Sequence, residues 1–85
     1  MDTTQPGFFE RLLPKFEGGT IEDSDAPGTP DEITGARVDG DMIVIETNAG
    51  WSFTMKKEFV SISAGRDEKT LVIHGMGLSA TVVLP

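Results

Sequence analysis

Residues 42–55 read Met-Ile-Val-Ile-Glu-Thr-Asn-Ala-Gly-Trp-Ser-Phe-Thr-Met. Two apolar-rich runs flank Asn48-Ala49-Gly50. A three-residue loop with Gly50 in the left-handed region pairs Thr47 with Trp51, Ile45 with Phe53 and Ile43 with Met55. A two-residue loop would instead set Glu46 beside Trp51 and leave Ile43 and Ile45 facing Ser52 and Thr54. Side chains alternate between faces along a strand, so a one-residue slip moves the whole apolar set to the wrong side. The first register buries more apolar surface, and the sequence predicts an antiparallel hairpin with one apolar face.

The same period of two continues downstream. Val60, Ile62 and Ala64 alternate with Ser61 and Ser63, and Leu78, Ala80, Val82 and Leu84 alternate with Ser79 and Thr81. Turn signals separate the runs at Asp39-Gly40-Asp41, Lys56-Lys57-Glu58, Gly65-Arg66-Asp67-Glu68 and Gly75-Met76-Gly77. The opposite face is rich in Ser and Thr but includes Met42, Val44, Val72 and Val83. The expected fold is mainly β: a small antiparallel meander of five or six strands over residues 35–85, barrel-like or two-layered.

Ile45-Glu46-Thr47-Asn48-Ala49-Gly50, then Ser52-Phe53-Thr54, and later Leu71-Val72-Ile73-His74-Gly75 are similar to segments of the small β-meander proteins of the sporulation-associated YabP/YqfC type. The resemblance implies a β meander and is confined to these hairpin segments.

Upstream the pattern changes. Residues 1–16 hold Phe8, Phe9, Leu12, Leu13 and Phe16. Phe8, Leu12 and Phe16 recur at spacings of four and would share one helical face. Pro14 would clash with the carbonyl of Glu10 inside a helix and pushes Leu13 away from helical geometry. A short amphipathic helix ending near Leu13 is expected, and alone in water it would not be stable. Residues 17–34, with Gly18, Gly19, Pro27, Gly28 and Pro30, have only Ile21 and Ile33 as large apolar residues. A flexible acidic linker is expected there, because such a composition cannot offset the entropy lost on ordering.

Charge follows the same division. The whole chain carries −7. In residues 1–16, Asp2 and Glu10 balance Arg11 and Lys15. Residues 17–34 hold Glu17, Glu22, Asp23, Asp25, Asp31 and Glu32 with no base. Residues 35–85 are nearly neutral, with Arg37, Lys56, Lys57, Arg66 and Lys69 set against six acids. The acidity belongs to the stretch before residue 35.

Chemistry-bearing motifs are scarce. With no Cys and His74 as the single His, disulfides and thiolate zinc sites are excluded. Ser, Asp and His74 occur without nucleophile-elbow spacing, so no catalytic residue is expected. Glu22-Asp23-Ser24-Asp25 starts like a calcium loop, but Pro27 takes the third ligand position and Thr34 stands where a bidentate Glu is needed. Gly75-Met76-Gly77 reads as a hairpin turn, not a phosphate cradle. No cofactor is expected.

A nearly neutral domain tethered to an acidic stretch disfavours direct nucleic-acid binding. No apolar run approaches the roughly 20 residues that span a bilayer. Neither a secretory signal nor a membrane role is expected, and a reducing cytoplasm is the expected compartment. Eighty-five residues also make a small core that benefits from a partner or an extra element. The expected function is a non-enzymatic interaction or assembly module. It would bind a protein partner, or itself as a homo-oligomer, through Phe8, Phe9, Leu12, Leu13 and Phe16, through the sheet, or both. Closing residues 1–16 on their own β domain is the competing use of those side chains. A small acidic phage-type inhibitor that mimics nucleic acid and blocks a basic protein surface is the alternative function.

Overall fold

The computed structural model of the chain describes residues 7–25, 28–65 and 67–85. Residues 1–6 of the expected front segment, Ala26 and Pro27 of the expected linker, and Arg66 of the turn at 65–68 lie outside the described residues. The Pro27 departure from a calcium loop lies outside them too. Helix α1, Phe8–Leu12, runs directly into a 3-10 turn over Leu13–Phe16. Pro14 sits in the first turn of that second segment, where its missing N–H interrupts no helical bond. The predicted stop near Leu13 is therefore realised as a change of helix type.

Among the described residues, seven strands follow: β1 Thr20–Asp23, β2 Asp31–Asp39, β3 Met42–Thr47, β4 Ser52–Lys56, β5 Ser61–Ala64, β6 Thr70–Gly75 and β7 Leu78–Val83. They form one antiparallel sheet in the order β4-β3-β2-β1-β7-β6-β5. The expectation of five or six strands is corrected to seven, and the sheet is open. The additional strand comes from residues 17–34, expected as a flexible linker. Thr20-Ile21 pairs with Asp31-Glu32 on one side, and all of β1 pairs with Val83–Ala80 on the other. Ile21 and Ile33, the two large apolar residues of that stretch, are fully buried or nearly so. Their burial, together with two ladders of main-chain hydrogen bonds, orders a segment whose average composition argues for disorder.

The 42–55 hairpin forms in the predicted register, with Ile43 opposite Met55 and Ile45 opposite Phe53. Thr47 N–H donates to the Trp51 carbonyl at 3.1 Å, and Gly50 has φ 88°. Thr47 is the one buried polar residue among the described ones, and its Oγ1 donates to the same carbonyl at 2.8 Å. Trp51 Nε1–H donates to Asp31 Oδ2 at 2.7 Å, which ties the hairpin loop to the start of β2. In β2 the register shifts between Ile33 and Gly35. That bulge lets Ile33 and Ala36, three residues apart, both face the core.

The sheet rolls but does not close, for a reason of parity. Six successive antiparallel pairings leave β4 and β5, the two edges, running in the same direction. Parallel neighbours need a crossover of roughly a dozen residues or more. Only the 3-10 turn Lys57–Phe59 and Val60 separate these two. The chain kinks from one edge to the other and leaves a seam.

The inward faces meet in one core, which contains Phe9, Leu13 and Phe16 together with Ile21, Ile43, Ile45, Phe53, Ile73 and Val82. At the seam the end of β6 packs on the Met55 side chain and on the turn after β4, so that a Cβ on Gly75 would collide with Met55 Sδ and lie 2.6 Å from the Phe59 carbonyl oxygen. In the β5–β6 turn, the Asp67 carboxylate accepts from Lys69 N–H at 2.9 Å and Thr70 Oγ1 at 3.0 Å. The backbone bond from Lys69, then the Thr70 hydroxyl, hold its pKa below the usual 3.8.

Two outcomes follow. Gly75→Ala should lower unfolding free energy by about 1–3 kcal/mol, the usual penalty of overpacking, in urea titrations. A carboxylate with a depressed folded-state pKa adds stability that is present above its unfolded value and lost as pH falls through the folded one. Asp67→Asn should therefore lower stability slightly near neutrality and leave it unchanged at the acid end, so that the acid limb flattens, as followed by circular dichroism.

Candidate functional site

The five front-segment residues are divided by the fold. Phe9, Leu13 and Phe16 are buried in the chain's own core, Leu13 and Phe16 completely. Phe8 and Leu12 are half-buried and pack against it. Phe8 and Phe9 rings meet edge to face with centroids 5.2 Å apart. The 3-10 turn carries Leu13 and Phe16 onto β2, and the Lys57 ammonium lies 3.5 Å from Glu10. Exposed pairs of this kind contribute little. The attachment is hydrophobic.

Apolar surface left exposed collects elsewhere. Phe59, Met76 and Leu78 are 49%, 70% and 50% exposed. With Met42, Thr54, Met55 and Lys56 they line an open groove of about 430 Å³ along the seam. Four elements build it: the start of β3 at Met42, the outer edge of β4, the 3-10 turn after it, and the β6–β7 hairpin tip. No carboxylate lines it, although acids outnumber bases two to one in the chain. Its three methionines are flexible and polarizable, which suits a surface that must adapt to another.

The hairpin tip carries backbone strain. Gly75 pairs with Leu78, so Met76 and Gly77 form a two-residue loop, with φ 51° and 78°. Loops with two left-handed positions favour Asn, Asp or Gly, and an ordinary L-residue there costs roughly 1–2 kcal/mol. Met76 is the one non-glycine residue with positive φ among those described. A long apolar side chain has been placed where both the backbone and the solvent disfavour it.

Among the described residues, the main chain of β4 pairs with a strand on one side only. Hydrogen bonds join Thr47 to Trp51 and Lys57 to Asp41, so the bonded pairs include residues 51, 53, 55 and 57. Ser52, Thr54 and Lys56 therefore direct their N–H and C=O groups away from β3. Their side chains are exposed.

The polar candidates do not assemble into a reactive site. His74 is exposed on β6, across from Ser61 and Ser79 in the ladders. Ser79 Oγ donates to Ser24 Oγ, and Ser24 Oγ donates to the Ser79 carbonyl. Asp23 accepts from Asp25 N–H, and Asp31 is engaged by Trp51. Among the described residues, no group of three or more His, Asp or Glu side chains is placed to hold a metal ion. No helix among them is long and apolar enough to cross a membrane.

Comparison with protein-family models, curated proteins and solved structures finds no match to this chain. The hairpin resemblance assigns no family, and function has to be argued from geometry.

Sequence reasoning passed over Phe59 and Met76 and set Leu78 on the apolar face of its strand, whereas Leu78 stands half exposed at the hairpin tip. Gly75-Met76-Gly77 was legible as a turn, and a methionine between two turn glycines was the available signal. Phe59 belongs to no alternating run, and only the open seam gives it meaning.

Phe16→Ala should cost about 3–5 kcal/mol of stability, as expected for a fully buried aromatic, in chemical denaturation. Met76→Gly should do the reverse and raise stability by about 1 kcal/mol through relief of the left-handed strain.

Proposed function

We propose that this chain is a non-enzymatic interaction module whose binding surface is the apolar groove along the β4 seam. The observation that carries the reading is Met76, an exposed apolar side chain held at a strained turn position beside exposed Phe59 and Leu78. A stability-optimised sequence would have Asn or Gly there. Residues that sacrifice stability without an internal contact are characteristic of binding surfaces. The free main-chain groups of Ser52, Thr54 and Lys56 supply a template for an added strand, and the groove supplies side-chain contacts. Burying three such side chains offers roughly 1.5–3 kcal/mol each before ordering costs, so a micromolar complex requires the main-chain bonds of an added strand as well.

The front segment enters this reading as support. With Phe9, Leu13 and Phe16 in the core, residues 8–16 hold the rolled sheet together, and of the large apolar side chains exposed among the described residues Phe59, Met76 and Leu78 lie at the seam and Val83 apart on β7. Binding through those five side chains would require the segment to leave its own core first.

A second reading rests on a different observation. Glu22 and Asp23 lie on β1, and Asp31 and Glu32 on β2. Acids fixed on a sheet imitate a phosphate array better than acids on a mobile strip, and the protein would then block a basic surface. Such binding weakens steeply with salt and is lost when Glu22, Asp23, Asp25, Asp31 and Glu32 are neutralised.

Panning a displayed library of random peptides over the immobilised protein tests the first reading. It should enrich sequences with alternating apolar residues, and Leu78→Asp should abolish their capture while leaving the circular dichroism spectrum unchanged. No enrichment, or enrichment indifferent to Leu78→Asp and Met76→Gly, would remove the groove as the binding surface.

A further inference from the structure

We infer that the groove's occupant is a second copy of this chain, joined edge to edge through antiparallel pairing of β4 with β4 about a two-fold axis at Thr54. The inference rests on the reading of the seam as a binding surface and names its partner. Isologous contact requires a self-complementary patch, and the β4 edge is one. Ser52, Thr54 and Lys56 direct main-chain donors and acceptors outward, and no bulge interrupts the ladder behind them. Antiparallel pairing about Thr54 sets Thr54 opposite Thr54 and Lys56 opposite Ser52. Thr–Thr is a favourable cross-strand pair, and like charges directly opposite each other are avoided.

An edge lysine often guards a free strand against pairing. Lys56 does not oppose this register, because its counterpart is Ser52 and not the other Lys56. The groove walls contain no carboxylate, so the paired edges themselves bring no acid together, with exposed Glu58 set beside them on the 3-10 turn. Phe59, Met76 and Leu78 flank the paired edges and lose exposure to the opposite copy. The other edge, β5, suits this arrangement less. Its outward main-chain groups belong to Ile62 and Ala64, since Gly65 N–H donates to the Thr70 carbonyl and fixes the alternation. It offers fewer donors and lies outside the apolar groove.

The charge also sets a salt signature. Both copies are acidic, so general repulsion opposes association and added salt relieves it. Dimerisation should tighten with ionic strength, opposite in sign to the behaviour of an acidic mimic bound to a basic surface.

Sedimentation of the full chain over a range of concentrations and salt reads this directly. Mass should rise from 9.1 kDa toward twice that value with concentration, and do so earlier at high salt. Thr54→Pro removes an outward N–H that the chain's own ladder does not use. It should raise the dimer dissociation constant at least ~10-fold, the loss of one or more well-placed hydrogen bonds and a steric fit. Register is read independently by Thr54→Cys in this cysteine-free chain. Opposed residues of a bonded antiparallel pair lie ~5.5 Å apart at Cα, within disulfide reach. Mild oxidation should therefore yield a covalent dimer from Thr54→Cys, and little or none from Ser52→Cys alone. A chain that stays monomeric at every concentration and salt overturns the inference. So does a dimer that Thr54→Pro leaves intact and Thr54→Cys does not trap. If the monomeric chain still captures displayed peptides in a Leu78-dependent way, the groove remains a binding surface and only the second copy is lost.

Discussion

The fold turns on the connection between β4 and β5. Seven strands paired antiparallel in sequence leave the two edges parallel, and four residues cannot return a chain to make a parallel ladder. Covalent continuity holds the edges near each other while hydrogen bonding cannot join them. The sheet is thus forced to roll and forbidden to close. Gly75 marks where the roll is tight, because no side chain fits between the end of β6 and the Met55 side chain and Phe59 carbonyl beside it. An even number of strands, or a longer connection, would have removed the seam and its exposed main chain together.

The front segment answers a related difficulty. A small rolled sheet with one open side has little apolar area to bury, and its core benefits from whatever else the chain can supply. Phe9, Leu13 and Phe16 meet that need, carried by a helix and a 3-10 turn too short to persist alone. The helix is stable because the sheet receives its side chains, and the sheet gains a core it could not complete. Pro14 contributes by ending α-helical geometry where Phe16 must turn inward. Once this exchange is made, the exposed Phe59, Met76 and Leu78 are apolar groups that the fold does not use. The protein keeps them at the seam, where main-chain groups are also unpaired.

Acidity and the seam lie on different parts of the molecule. The acids of β1 and β2 sit on neighbouring strands in the middle of the sheet, whereas the groove is at its edge and is lined by no acid. A contact through one surface and a contact through the other respond to salt in opposite directions. The two functional readings are thereby separated by electrostatics alone.

The 42–55 hairpin, its register and its left-handed Gly50 were determined by sequence, because local turn chemistry and a period of two both specify the same pairing. The end of α1 near Leu13 was likewise local, set by one proline. β1 and the first part of β2 were not legible. Ile21 and Ile33 stand alone among acids and glycines, and the bulge at Ile33–Gly35 breaks the alternation that would have announced a strand. What orders β1 is pairing with a strand more than fifty residues away in sequence, Val82 opposite Ile21, and the start of β2 is then held between β1 and β3, with Ile33 opposite Thr47. The use of the Phe and Leu side chains was undecided for the same reason, since the five residues have one hydrophobic pattern whether they face their own core or another protein. The groove belongs wholly to tertiary structure. Phe59, Met76 and Leu78 come together only because strand parity holds the sheet open, and parity depends on the full count of strands, including the one the local sequence concealed.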